Sequence, residues 1–253
     1  MDPILFFSLV DTYQTVSYSG AAALQKADIV IYAGSLVNPE LLEYSKDICT
    51  IYNSAHLTLE KVISVIEKAE SEGKTTVRLH TGDPCIYGAV REQMDALDAK
   101  GIPYDSCPGV SSFCGAAAAL NVEYTLPDIS QSVILTRMEG RTPVPAKESI
   151  QSFASHRASM VIFLSAGMTK ELSDRLIEGG YEPDTPAAIV YKATWKDEKT
   201  IRCTVADLDK AARENGIDKT ALILVGEAVG NPSYDRSRLY APDFSTGFRP
   251  AEG

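Results

Sequence analysis

The sequence predicts an α/β protein built from two successive α/β domains, and three observations carry that reading. Apolar strand-like runs alternate with helix-period segments from end to end, the pattern of largely parallel sheets fed by crossover helices. The chain has 253 residues, enough for one large or two modest domains. The alternation breaks at residues 121–130 (NVEYTLPDIS), where no clear periodicity survives and Pro127-Asp128 is a turn signal. That stretch is the expected linker between an N-terminal domain at 1–127 and a C-terminal domain at 128–253.

Each element follows from local pattern. Residues 4–10 (ILFFSLV) are apolar but too short to span a membrane, and they lack the basic flank and small-residue cleavage site of a signal peptide. They read as a buried strand, and the protein as cytoplasmic. Residues 27–33 (ADIVIYA) and 75–79 (TTVRL) are also strand-like. Between them, Leu59, Val62, Ile63 and Ile66 recur at helical spacing, so residues 58–72 form an amphipathic helix with Thr58 as N-cap. The strand at 75–79 runs into Gly82-Asp83-Pro84 and then a helix carrying Ala89, Val90, Met94 and Leu97. A second loop, residues 107–115 (CPGVSSFCG), leads into Ala116 to Leu120. Beyond the linker, residues 132–136, 160–164, 187–191 and 221–225 are strand runs, while Leu172, Leu176 and Ile177 mark a helix stopped by Gly179-Gly180.

Composition narrows the function. With 24 Lys+Arg against 34 Asp+Glu the net charge is −10, which removes the attraction that nucleic-acid binding depends on. Nucleic acid and membrane are not expected partners. The five cysteines, Cys49, Cys85, Cys107, Cys114 and Cys203, are odd in number, form no CxxC pair and sit at no zinc-ligand spacing. They read as reduced thiols, with neither a disulfide framework nor a metal site. No GxGxxG follows a strand, so a nicotinamide-dependent oxidoreductase is not supported.

Ligands of open α/β sheets bind at the carboxyl ends of strands, where backbone groups are free. Two such loops stand out: His80-Thr81-Gly82-Asp83-Pro84-Cys85-Ile86-Tyr87-Gly88 and Pro108-Gly109-Val110-Ser111-Ser112. Their small residues permit close approach of a ligand, and the serines suit helix capping or ligand hydrogen bonds.

These two loops, together with ADIVIYAGSLV at 27–37, Arg137-Met138-Glu139-Gly140-Arg141-Thr142-Pro143 and Phe163-Leu164-Ser165-Ala166-Gly167-Met168, complete a recognisable set. In this order, over about residues 20–230, the chain resembles the S-adenosylmethionine-dependent tetrapyrrole methylases. Within that family it is similar to members that methylate C11 of precorrin-4 or cobalt-precorrin-4 in cobalamin biosynthesis. The resemblance implies two α/β domains with a trough between them, S-adenosylmethionine at the domain interface, a tetrapyrrole substrate and a homodimer. Position by position, it puts cofactor contacts on Thr81, Gly82, Asp83 and Ile86, on Ser111 and Ser112, on Leu164 and on Ala193. Several of these are expected to be backbone contacts.

The departure lies at the N-terminus. Where the family has a glycine-rich GxGPGD loop, residues 7–17 read FSLVDTYQTVS, with Asp11 standing near the loop aspartate if one residue is gapped. Two alternatives stay open: methylation at another ring position or of uroporphyrinogen, and, because of the altered loop, a non-catalytic tetrapyrrole-binding relative.

A precorrin bears many carboxylates, and a chain of net charge −10 must gather cations locally to bind it. Arg91, Arg137 and Arg141 are the expected substrate contacts, with Lys192 and Lys196 near another site loop. The substrate carbon is the nucleophile in such a transfer, so acid–base chemistry is secondary, and His80 and Glu139 are its candidates. His56 is a further polar residue at a strand exit, whereas His156 reads as surface.

Overall fold

The computed structural model describes residues 4–9 and 17–252. Asp11 and the rest of 10–16, within the stretch 7–17 where the family's glycine loop is expected, lie outside the described residues. The chain divides into two compact units, Met1–Ala116 with Lys192–Glu198, and Ala117–Tyr191 with Lys199–Gly253. Residues 121–130 thus belong to the second unit, and a short segment far along the chain belongs to the first.

The first unit is a five-stranded sheet in which every pairing is parallel. Its strands are β1 (Ile4–Leu9), β2 (Ile29–Tyr32), β3 (Thr50–Asn53), β4 (Thr76–Thr81) and β5 (Tyr104–Cys107), in the order β3-β2-β4-β1-β5. Helices α1 (Tyr18–Lys26), α2 (Leu59–Ser71) and α3 (Arg91–Asp98) alternate with them, and α4 (Ser112–Leu120) follows β5. Strand alternation explains how both faces of the sheet are covered. On β2, Ile29 and Ile31 join Val62, Ile63 and Ile66 of α2 and Leu97 of α3. Val30 points the other way, to Ala23 and Leu24 of α1 and to Val77 and Leu79 of β4. Thr58 caps α2 as its sequence predicts, its Oγ1 accepting from Lys61 N at 3.4 Å. In the same way Ser17 caps α1, its Oγ accepting from Gly20 N at 3.1 Å.

The second unit corrects the expectation of parallel sheets. Its strands are β6 (Val133–Arg137), β7 (Ser159–Phe163), β8 (Pro186–Tyr191), β9 (Lys199–Thr204) and β10 (Ala221–Val225), in the order β6-β7-β10-β8-β9. Only β6 and β7 pair in parallel; the other three pairings are antiparallel. Only residues 192–198 separate β8 from β9, and so short a connection cannot hold a crossover helix, so β9 must return antiparallel. β10 then slots between β7 and β8, opposite in direction to both. Helices α5 (Ile150–Ala154), α6 (Thr169–Gly179) and α7 (Leu208–Glu214) close the unit over a core that includes Met160, Ile162, Leu172, Leu176, Leu208 and Ile223.

Candidate active site

Because the first sheet is parallel throughout, the loops after β2, β3, β4 and β5 leave it at one edge. The register brings β1 level with its neighbours there, Leu9 opposite Thr81 and Phe7 opposite Cys107. The two sequence-predicted loops are joined at this edge by Asp83. Its Oδ1 accepts from Cys85 N at 2.9 Å, an Asx turn within its own loop. Its Oδ2 accepts from Gly109 N at 2.8 Å, across to the loop after β5. Partial burial on its own raises the carboxyl pKa, but bonds from the Cys85 thiol and the N–H groups of Cys85 and Gly109 outweigh it and hold Asp83 below the usual value of 3.8.

Gly82 sets the turn at the start of this loop. It sits at φ +68°, and a Cβ there would lie 3.4 Å from Ser112 N and 3.5 Å from Ser111 Cα. A Cβ would therefore rest in ordinary contact with the second loop, and it is the positive φ, at which an L side chain is strained, that calls for glycine. Thr81 anchors the start of the loop, Oγ1 donating to Leu36 O at 2.5 Å, and Ile86 N closes it onto Asp83 O at 3.1 Å. Ser111 is buried, and its carbonyl accepts from Cys114 N at 2.9 Å in the first turn of α4. The structure thus brings Thr81, Gly82, Asp83, Ile86, Ser111 and Ser112 together.

Ala193 also belongs to the first unit, buried between two residues at positive φ, Lys192 at +46° and Thr194 at +73°. Lys196 Nζ ties this segment to Glu40 Oε1 at 2.6 Å, and Lys192 Nζ pairs with Asp197 at 2.6 Å while lying 4.9 Å from the centroid of the Trp195 ring. Thr194 Oγ1 and Trp195 Nε1 are buried here with no hydrogen-bond partner. Buried polar atoms of this kind are normally satisfied. Two beside Ala193, together with a backbone cradle that a Cβ at Gly82 would fill, fit a small ligand rich in donors and acceptors, as S-adenosylmethionine is.

In the second unit, Leu164 follows β7 at φ +53° with its side chain well exposed. Its conformation is held by a residue that sequence reasoning missed, Ser165, which is fully buried. Ser165 Oγ donates to Phe163 O at 2.7 Å and accepts from Met138 N at 3.0 Å, linking the ends of β7 and β6.

The expected substrate cations differ in what they do. Arg137 donates to the carbonyls of Met138 (3.1 Å), Thr142 (3.3 Å) and Pro143 (2.8 Å), winding the loop after β6 around itself. Arg141, in that loop, is exposed. Arg91 pairs with Asp95 and Asp98 on its own helix, so its charge is matched locally. Glu139 is half exposed and held by Arg175 at 2.8 Å, which also grips Glu171 at 2.6 Å. His80 lies inside the sheet at 3% exposure with Nε2 unpartnered. Burial, then the neighbouring Arg78 charge, push its pKa down to about 3, so the ring is neutral at physiological pH.

A strand-end glycine loop clasped by a carboxylate to its neighbouring strand-end loop, on a parallel sheet, defines an α/β protein built to bind a small molecule. The family model of the tetrapyrrole (corrin/porphyrin) methylases matches residues 15–209, and the chain belongs to that family. It is 50% identical over 236 residues to the cobalt-precorrin-4 C(11)-methyltransferase of Methanocaldococcus jannaschii, covering 93% of this chain and 91% of that one. With the enzyme of the same name from Priestia megaterium the identity is 46% over 237 residues and 92% of each chain. A solved structure described as cobalt precorrin-4 methyltransferase, a cobalamin biosynthetic enzyme, superposes with TM-score 0.86 at 43% identity, over 90% of this chain and 96% of that one.

Proposed function

We infer that this tetrapyrrole methylase transfers a methyl group from S-adenosylmethionine to C11 of a precorrin-4-type macrocycle in cobalamin biosynthesis. The observation that carries the reading is the Asp83 clasp, which preassembles the two strand-end loops in a chain alike along nearly its whole length to enzymes of that name. Bound S-adenosylmethionine supplies an electrophilic sulfonium methyl. The chain's part is to hold and orient: Thr81, Gly82, Asp83 and Ile86 on one loop, Ser111 and Ser112 on the next, and Ala193 beside its two unpaired polar groups are the cofactor contacts we assign. Leu164, exposed at positive φ, is assigned with them on the family resemblance.

Since the substrate carbon is itself the nucleophile, the enzyme needs none, and orientation supplies up to roughly 7–11 kcal/mol in well-positioned systems. Arg141 is the substrate-binding cation we favour, with Arg137 shaping its loop and Arg91 a more distant contributor. Of the two acid–base candidates, half-exposed Glu139 is the one we favour, whereas neutral, buried His80 acts on the shape of the strand end. A homodimer in the cytoplasm belongs to the same reading, supported by the family resemblance and by five free thiols, which suit a reducing compartment.

The test is direct. Purified protein incubated with methyl-labelled S-adenosylmethionine and cobalt-precorrin-4 should yield a product heavier by one methyl, located at C11 by carbon NMR. Label at another ring carbon, or none transferred by a folded protein, overturns the assignment. Light scattering reads the oligomeric state in the same preparation.

A further inference from the structure

The inner face of β4 carries a cation with no carboxylate partner among the described residues. Arg78 is 5% exposed, and its guanidinium reaches four groups: Nε donates to Gln93 Oε1 at 3.0 Å, Nη1 to Ile31 O at 2.9 Å and Leu79 O at 3.3 Å, and Nη2 to Ser54 Oγ at 3.1 Å. Burial lowers its pKa to about 10. Keeping a charge inside a sheet without an opposite charge is costly, so a chain that does so gains something other than stability from it.

The other end of Gln93 shows what is gained. Gln93 is also buried, and its Nε2 donates to Ala89 O at 2.9 Å. Arg78 precedes the loop on β4, and Ala89 ends it ahead of α3 at φ +48°, a conformation L side chains rarely adopt. Within the loop, Tyr87 is at φ +56°, and a Cβ on Gly88 would lie 2.3 Å from Pro84 O, so the backbone is wound tightly. One amide side chain thus joins the strand that enters the loop to the residue that leaves it.

We propose that Arg78 and Gln93 form a brace that fixes residues 82–90 in the conformation that binds S-adenosylmethionine, both acting as positioning residues. This rests on the reading of that loop as the cofactor site. The brace differs from the Asp83 clasp, which joins the loop sideways to its neighbour: Gln93 closes the loop on its own strand.

Gln93→Glu separates the brace from mere packing. A carboxylate still accepts from Arg78 Nε and adds the missing opposite charge, but it cannot donate to the Ala89 carbonyl. The melting midpoint should stay at or above that of the wild type. Affinity for S-adenosylhomocysteine, the probe by calorimetry, should weaken about three- to tenfold, as for one lost hydrogen bond. The KM for S-adenosylmethionine should rise with it, the KM for the tetrapyrrole should not, and backbone amides of residues 85–89 should exchange faster in the free protein. Equal changes in both KM values, or wild-type cofactor affinity in folded Gln93→Glu, overturn the brace. If that variant fails to fold, Gln93→Met removes the donor at similar volume, and wild-type affinity there overturns it equally. A wild-type protein that binds no S-adenosylhomocysteine overturns the cofactor reading together with the brace, whereas wild-type binding with unaltered variants overturns the brace alone.

Discussion

Asp83→Asn tests the clasp most sharply, because each carboxylate oxygen has its own backbone donor, Cys85 N at 2.9 Å and Gly109 N at 2.8 Å. An asparagine offers one carbonyl oxygen. Its amide group faces the other N–H donor to donor, so one charge-assisted bond is lost outright and the remaining one becomes neutral. A bond to a charged acceptor is worth about 1.5–3 kcal/mol, so the variant should lose about that much stability and drop several degrees in melting midpoint. With one bond gone and the other neutral, the loop after β5 is held less firmly to residue 83, and cofactor affinity should fall about tenfold or more. Acid dependence gives an independent reading. Asp83 has a folded pKa below 3.8, so its stabilising effect is present above the unfolded value and is lost as pH falls through the folded one. The variant should therefore show a shallower loss of stability on the acid side. Urea titrations across pH, with calorimetry for S-adenosylhomocysteine, measure all three quantities. Wild-type stability and affinity in Asp83→Asn would refute the reasoning, since neither oxygen could then be holding the loops.

Four further outcomes follow from the same geometry. Arg141→Ala should raise the tetrapyrrole KM about tenfold or more and leave cofactor affinity unchanged; equal losses for both ligands in steady-state kinetics would count against a substrate contact. Ser165→Ala strips a buried N–H at Met138 and a carbonyl at Phe163 of their partner, and should cost about 1–3 kcal/mol in denaturant unfolding. His80 is held neutral down to about pH 3 when folded but titrates near 6.5 when unfolded, so between those values the unfolded chain binds the extra proton and stability falls as pH falls; His80→Gln should flatten that stretch of the stability profile. Rebuilding residues 10–16 as a glycine-rich GxGPGD loop, with β1 and the Ser17 cap left as they are, should tighten cofactor binding and speed turnover on cobalt-precorrin-4, and binding found only in the rebuilt chain would favour the non-catalytic relative.

Central strands declared themselves in the sequence because they are buried on both sides and read as unbroken apolar runs, as in β2, β7 and β10. Three of the edge strands, β3, β5 and β9, did not. In β3, β5 and β9 most positions reach solvent, so TIYN, YDSC and KTIRCT lack an apolar signal, and their pairing is a property of the neighbours they border. α1 was missed for a related reason: its alanines have high helix propensity but give no amphipathic spacing. Among the site residues, the glycine and proline punctuation marked both loops, yet nothing local announced that Asp83 would bridge 26 positions to Gly109. Arg78, Gln93 and Ser165 were illegible for a different reason. A polar residue in a strand, in a helix or just after one reads as a solvent-facing position, and only the fold shows that these three turn inward.

The assignment of Lys192–Glu198 to the first unit, while β8 and β9 on either side of it belong to the second, fixes an order of events during synthesis. A ribosome delivers the chain from its N-terminus at about 5–20 residues per second. The last strand of the first sheet is complete at Cys107, but the piece that carries Ala193 emerges roughly 85 residues later, about 4–17 s at those rates. In that interval β6, β7 and β8 are already made. The two units therefore mature interleaved rather than one after the other, and no contiguous fragment of the gene encodes the whole of the first without also encoding residues 117–191 of the second.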